Sequence, residues 1–360
     1  MKILSIYPWT HISSSALMIN GKLISAGPEE RFNRRKWSTD FPLLSAEWCL
    51  KQAGIKWKDL DVIVVPWNPS HNINSSSSRW DNNIRWRGEL LSNIPTNIMK
   101  ALKNKPANSM EVSFGNTKIL YLNHHECHAA SAFFGSGYKK SDFLTIDGHG
   151  ESETCVSGYF SGKRFIKKNS IYYPHSVGLL YGTFTEFLGF KPDSDEWKTM
   201  ALASYSSTKN IFDKKIEKLY KLTNKGFELD LSFFDYYQFD KKPNFFNNKF
   251  CELFGPVREK NFKINSRHHK IAGALQRAFE KSSCVTPLRG QTGSAVGSIG
   301  LTTTYNGPGL ALVRPGTHGR ELRLGHRVIA LGTLRPSLVS IEQRKGDTNA
   351  RADEGGAVLH

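Results

Sequence analysis

Three histidines fall within five consecutive residues, His124-His125-Glu126-Cys127-His128, directly after the apolar stretch Lys118–Leu122. A helix running on from Glu126 puts His124 and His128, four apart, on one face, where two imidazoles can grip one ion. Asp147 follows nineteen residues after His128, at the end of the next apolar stretch, Phe143–Ile146. Strand ends of an α/β layer meet at the carboxyl edge of the sheet, the usual ligand edge. Two imidazoles and one carboxylate with open positions suit Fe(II), Mn(II) or Zn(II). His125 then stands behind the ligands or faces substrate, and Cys127 points elsewhere as a small buried residue. An isolated pair of histidines at this spacing is a weak signal, because single histidines are commonly satisfied by backbone carbonyls.

Two further clusters mix charge with apolar sequence. Glu196 and Lys198 stand beside the apolar Met200-Ala201-Leu202-Ala203 run, and by themselves read as a solvated loop or a surface salt bridge. Glu29-Glu30-Arg31-Phe32-Asn33-Arg34-Arg35-Lys36 reads as a helix start with a solvated face, or more sharply as an anion-binding loop.

Positioning these groups requires a layered α/β framework. Lys2–Tyr7 is strand-like, and Asn20-Gly21 between apolar runs is a strong hairpin signal. Ser45–Ala53, closed by Gly54, predicts a helix, and Asp61–Val65 a buried strand. Lys118–Leu122 predicts a strand entering the histidine cluster, Glu126–Phe134 a helix, and Phe143–Ile146 a strand ending at Asp147. Cys155–Phe160 continues the sheet, and Gly178–Phe187 has the spacing of a core helix. Strand, hairpin, helix and strand in this order suit a ribonuclease-H-like α/β layer rather than a sandwich or a bundle. Residues 68–116, rich in Ser, Asn and Trp, predict loops and helices at one edge.

Composition narrows the class. With 39% hydrophobic and 12% aromatic residues, a packed core is expected and global disorder is not. The longest apolar runs fall far short of a membrane span, and the N-terminus lacks the pattern of a signal peptide. Five cysteines without a CxxC pair favour a reducing compartment, so a cytoplasmic protein is expected. The net charge of +17 comes from scattered lysines, with no arginine-rich helix or aromatic-interleaved RNA motif. A pocket for a phosphorylated small molecule is favoured over nucleic acid.

The character of the chain changes near residue 284. All 22 Phe and all 8 Trp precede it, while the remainder holds one Lys against eight Arg and many Gly, Leu and Thr. That switch marks 283–360 as a poorly ordered tail, arising from a frameshift or a join of unrelated DNA, or as a linker with a small tail domain.

Taken together, several motifs in order resemble the carbamoyltransferase family of nodulation-protein-type and antibiotic-tailoring O-carbamoyltransferases. They are Ser13-Ser14-Ser15-Ala16-Leu17, Glu29 to Arg34, Asn123-His124-His125-Glu126-Cys127-His128-Ala129-Ala130-Ser131-Ala132-Phe133 and Thr145-Ile146-Asp147-Gly148. Pro174-His175-Ser176 through Phe190, Glu196-Trp197-Lys198-Thr199-Met200-Ala201-Leu202-Ala203 and His269-Lys270-Ile271-Ala272 to Glu280 complete the set.

The resemblance covers roughly residues 2–282 and implies an actin/sugar-kinase-like fold of two ribonuclease-H-like halves. It divides the chain into a first half with the metal motif (1–205), a helical segment leading into the second half (206–282), and the unmatched tail (283–360). It implies iron(II) held by His124, His128 and Asp147, cofactor contacts from His11, Ser13, Arg31 and Lys36, and catalytic roles for His125, Glu196 and Lys198. The implied reaction moves a carbamoyl group from carbamoyl phosphate, through a carbamoyl-adenylate made with ATP and Mg, to a hydroxyl of a small acceptor. His125 would assist removal of the acceptor's proton. Ile12 stands where many members have Asp, and neither the family's further aspartate ligand nor its Gly-Gly-Val-Ala-Leu-Asn-like phosphate motif has a counterpart here. The expected centre is therefore incomplete as written. The alternatives are a carbamoyl-adenylate-binding protein of the tRNA-modification type and a sugar-kinase-like phosphotransferase.

Overall fold

The computed structural model describes residues 1–7, 12–68, 110–114, 117–224, 226–237, 244–285, 299–304 and 307–315. His11 and most of 68–116 lie outside the described residues, as does the greater part of 283–360.

Strands β1 (Lys2–Tyr7), β2 (Ser14–Ile19) and β3 (Lys22–Pro28) form an antiparallel meander. The turn between β2 and β3 is the expected Asn20-Gly21, with φ of 51° and 80°, the left-handed pair a two-residue hairpin demands. Alternation in β1 and β2 turns Leu4, Ile6 and Leu17 to one face. Helix α2 (Leu43–Gln52) lays Ala46, Cys49 and Leu50 against them to form a small core. A short helix α1 (Glu30–Asn33) precedes it. Strand β4 (Val62–Val65) joins β1 in parallel, β6 (Thr117–Tyr121) joins β4 in parallel, and β5 (Met110–Phe114) closes the edge antiparallel. The resulting order, β3-β2-β1-β4-β6-β5, is that of a ribonuclease-H-like sheet.

Helix α3 (His124–Ser136) then leads into a second sheet. Strands β7 (Lys140–Gly150), β8 (Glu153–Ser161) and β9 (Arg164–Tyr172) repeat the antiparallel meander of β1 to β3. The chain therefore holds one six-stranded sheet within residues 2–121 and opens a second at Lys140. Two boundaries differ from expectation. The helix starts at His124 rather than Glu126, and β7 runs past Asp147 to Gly150. The β7–β8 ladder breaks between Ile146 and Gly150, so Asp147 sits at an irregularity inside a strand rather than at its end.

Helix α4 (Val177–Phe187), capped by the Ser176 hydroxyl accepting from Leu179 N, packs on β7. Around it gather α5 (Glu196–Ala203), α6 (Ile211–Ile216), the hairpin β10 (Tyr220–Thr223) and β11 (Gly226–Leu229), α7 (Asn248–Phe254) and α8 (Ser266–Val285). Phe184 and Phe187 of α4 meet Phe250 and Phe254 of α7 edge to face, which makes this the largest core of the molecule. Strands β12 (Ile299–Thr304) and β13 (Gly307–Pro315) add a hairpin to the free edge of β7. There β13 runs antiparallel to β7, whereas β1 receives β4 in parallel at the matching edge.

Candidate metal centre

Both candidate imidazoles come from the first turns of α3, and the carboxylate comes from the irregularity in β7. The side chains of His124, His128 and Asp147 are all buried. His124 Nε2 lies 3.0 Å from Asp147 Oδ2 and 3.0 Å from His128 Nε2, and His128 Nε2 lies 3.4 Å from the same Oδ2. Cis ligands of an ion bonded at ~2.1 Å stand about 3.0 Å apart in octahedral geometry and about 3.4 Å apart in tetrahedral geometry. The three atoms therefore fit one face of a coordination sphere. They are the one cluster of three or more His, Cys, Asp or Glu of this kind among the described residues.

Proton placement gives the same answer. His124 Nδ1 is 3.2 Å from the carbonyl of Pro66, which only accepts, so Nδ1 carries the hydrogen and Nε2 presents a lone pair. Asp147 Oδ1 accepts from Gly148 N at 2.7 Å, leaving Oδ2 for the histidines. Burial works against charge on Asp147, but hydrogen bonds and charge from His124 and His128 outweigh it and hold the carboxyl well below its usual range. Three electron-rich atoms converging out of water need positive charge among them, which a proton shared between His124 and Asp147 or a bound cation in its place would supply.

Two glycines allow this approach. A Cβ on Gly150 would lie 2.6 Å from His124 Cδ2, and one on Gly178 would lie 2.5 Å from the carbonyl oxygen of Asp147. Ser176, the cap of α4, also donates to the Gly148 carbonyl at 2.7 Å, which seats the Asp147 turn against that helix.

The sequence model of the family described as Carbamoyltransferase N-terminus matches residues 2–292. This chain belongs to the carbamoyltransferase family. Among its curated relatives, the uncharacterized protein sll1178 of Synechocystis sp. is 33% identical over 297 residues, covering 78% of this chain and 46% of that protein. Nodulation protein NolNO of Sinorhizobium fredii is 27% identical over 284 residues, covering 75% of this chain and 37% of that protein. The chain thus spans less than half the length of these relatives. Among solved structures, YeaZ from Pseudomonas aeruginosa is 12% identical with a TM-score of 0.26, covering 48% of this chain and 68% of its own. The ribonuclease-H-like class of the carbamoyltransferase chain rests on its own strand order. No helix among the described residues is long and apolar enough to cross a membrane.

The remaining expected residues of the carbamoyltransferase site fall in three places. His125 lies behind the triad, with Nδ1 2.8 Å from Thr145 Oγ1 and Nε2 3.0 Å from the Glu153 carbonyl. Burial pushes its pKa down to about 4, so the ring is neutral and both nitrogens are engaged. An expected proton acceptor thus sits where no lone pair is open to an acceptor hydroxyl. Glu196 and Lys198, in the first turn of α5, bond to the turn that precedes it. Glu196 accepts from Asp193 N at 2.6 Å and is 2% exposed, while Lys198 pairs with Asp195 at 2.9 Å. Ser13 is fully buried beside β2, its N donating to the Ser38 carbonyl at 3.0 Å. Arg31 and Lys36 are exposed.

The acidic members of that last cluster have structural duties. Buried Glu29 accepts from Leu44 N and Ser45 N at the start of α2, and Glu30 accepts from Trp37 N. The reading of the sequence missed Glu151, which is buried and accepts from Asn68 N at 2.7 Å and His124 N at 3.1 Å. Burial raises its pKa to about 7. Its one visible signal was its place in Asp147-Gly148-His149-Gly150-Glu151, two glycines beside a ligand.

Glu196 carries a testable consequence. Burial, with Asp193 adding to it, raises its pKa from an ordinary 4.5 to about 8. A carboxyl raised on folding stabilises the folded state below its unfolded pKa, and that contribution is lost as pH rises through the folded value. Stability should therefore fall between pH 4.5 and 8 with a slope of at most about 1.4 kcal/mol per pH unit. Glu196→Gln should flatten that part of the profile in urea titrations across this range, and an unchanged slope would assign it to other groups.

Proposed function

We propose that this chain is the metal-holding half of a carbamoyltransferase that passes a carbamoyl group from carbamoyl phosphate, through a carbamoyl-adenylate, to the hydroxyl of a small acceptor. The observation that carries the reading is the convergence of His124, His128 and Asp147 on one point, within a chain of this family. Iron(II) is the proposed ion, and it would supply Lewis acidity toward the carbamoyl oxygen. In the transfer, the acceptor oxygen bonds to the carbamoyl carbon, the bond from that carbon to the phosphate oxygen of AMP breaks, and the hydroxyl proton leaves to a base.

The chain's own residues do the positioning. The Pro66 carbonyl fixes the His124 tautomer, and Asp147 provides a charge that needs no deprotonation at neutral pH. His125, locked between Thr145 and Glu153, stiffens the helix that bears the ligands. Exposed Arg31 and Lys36 are the proposed contacts for the anionic phosphates, together with Ser13 and His11. Glu196, kept protonated to about pH 8, and its neighbour Lys198 are proposed to act on substrate from the edge of α5. The phosphotransferase alternative has no use for two converging imidazoles.

The test is anaerobic calorimetry of the purified chain with Fe(II), followed by titration with a non-hydrolysable carbamoyl-adenylate analogue. One ion per chain is expected, with the analogue bound more tightly to the loaded protein. A chain that takes up no divalent ion, or whose analogue affinity ignores the ion, would refute the proposal.

A further inference from the structure

Glu151 joins three segments at one buried carboxylate. Its Oε1 accepts from Asn68 N, just past β4, and from His124 N, the first residue of α3; Oε2 lies 3.2 Å from the same His124 N. The residue itself belongs to the turn that follows Asp147 and Gly150. Its φ of 46° is left-handed, a conformation that costs a non-glycine residue about 1–3 kcal/mol and persists only where the surroundings over-determine it.

The cap of α3 explains why an outside group is needed. Asn at the position before a helix normally accepts from the amides of the first turn. The Asn123 side chain makes no such bond, because its Oδ1 accepts instead from Asn68 Nδ2 at 2.8 Å. Glu151, 27 residues after His124, takes up the amide of the first helical residue. Asn68, Asn123, His124 and Glu151 thus form one polar clasp. It ties the exit of a first-sheet strand to the turn of the second sheet, and His124, one of the three converging residues, is bonded to both sides. The contact of Pro66 with His124 Nδ1 lies in the same layer.

We infer that Glu151 is a positioning residue of the metal centre, holding the 66–68 segment and the start of α3 at the distance from Asp147 that brings the three ligand atoms together. The inference rests on the metal-holding reading above. What matters is an acceptor of the right reach, since Oε1 alone serves both amides.

Four full-length proteins test it: wild type, Glu151→Gln, Glu151→Asp and Glu151→Ala. Each is titrated anaerobically with Co(II) while its d–d absorption is followed. Amide exchange of segments 66–68 and 123–128 is measured without metal. Glutamine keeps an oxygen at the same reach, and its Co(II) affinity should stay within about threefold of wild type with the same bands. Aspartate, charged but one methylene short, and alanine should each weaken Co(II) by roughly ten- to a hundredfold, the usual effect of losing an outer partner of a ligand, with shifted bands. Exchange at both segments should quicken in the same two proteins.

Wild-type affinity and spectrum in Glu151→Ala would overturn the inference. So would a Glu151→Gln protein as impaired as Glu151→Asp and Glu151→Ala, which would make charge rather than reach the cause. If wild type itself takes up no Co(II), the metal reading falls, and the exchange rates alone then decide for or against the clasp. Should Glu151→Ala fail to fold, the contrast between glutamine and aspartate carries the same decision.

Discussion

His128→Ala should leave a folded protein that no longer retains an ion. The side chain contributes one of three ligand atoms, and the two that remain, His124 Nε2 and Asp147 Oδ2, would be left 3.0 Å apart with one edge of the face missing. Helix α3 does not depend on His128 for its seat. Ala129 and Phe133 hold it to Phe143, Val156 and Phe160 of the second sheet, with Phe133 stacked on Phe160 at 4.1 Å. Metal content by mass spectrometry should drop from about one ion per chain to background, a larger loss than the ten- to hundredfold expected for outer partners. Melting temperature supplies a second reading. An ion at a hundred times its dissociation constant stabilises the folded state by about 2.7 kcal/mol, so wild type should melt higher with metal and His128→Ala should not respond. His125→Ala should do the reverse, keeping the ion while losing stability, because both bonds of that ring are to Thr145 and Glu153. Undiminished metal in purified His128→Ala would remove this histidine from the ligand set.

Gly150→Ala should be nearly as damaging although it alters no ligand. The added Cβ would meet His124 Cδ2 at 2.6 Å and His124 Cβ at 2.8 Å, distances at which something must move. His124 cannot yield without giving up Pro66 or the shared point with His128 and Asp147. Overpacking of this kind costs typically about 1–3 kcal/mol, and here the strain falls on the ligand itself. Reduced metal retention together with a lowered melting temperature is therefore expected. Gly135→Ala is the control, lying in the helix that carries His124 with nothing within 4 Å of the new methyl. That change should stabilise α3 by about 0.5–1 kcal/mol and leave the ion in place. Equal metal retention in both variants would show that the close approach at Gly150 is not binding on the site.

These expectations mark where the sequence was legible. The hairpin at Asn20-Gly21 could be read because its signal is local, two residues whose backbone preferences match one turn. The HxxxH pair was legible because helical spacing alone puts both rings on one face. Asp147 does lie beside His124 and His128, yet its strand was cut short. The apolar run stops at Ile146, while backbone pairing resumes at Gly150 with Glu153. The start of α3 was misplaced for a related reason. Asn123, with Glu126 three residues on, is a helix-start signal that a helix beginning at Glu126 passes over, while the acceptor for His124 N is Glu151, reached only through the tertiary fold. Glu151 and Glu196 were opaque alike. A glutamate beside glycines or beside a lysine reads as solvated, and burial is a property of what packs over it. The family resemblance was carried by ordered motifs, and the family match extends to residue 292, past the 282 expected from them.

The division of the proposed ligands between α3 and β7 also orders events during synthesis. The first sheet has all its strands once Tyr121 has been made, before either histidine ligand exists. The histidines arrive with α3 and the carboxylate with β7, and the Asp147 turn gains its support only when Ser176 and Gly178 follow. A nascent chain thus completes a layer that holds none of the proposed ligands first, and the proposed ion would enter only later. In a cell short of that metal, new chains would accumulate already folded on the ribosome-proximal timetable, waiting to be loaded, rather than unfolded for want of it.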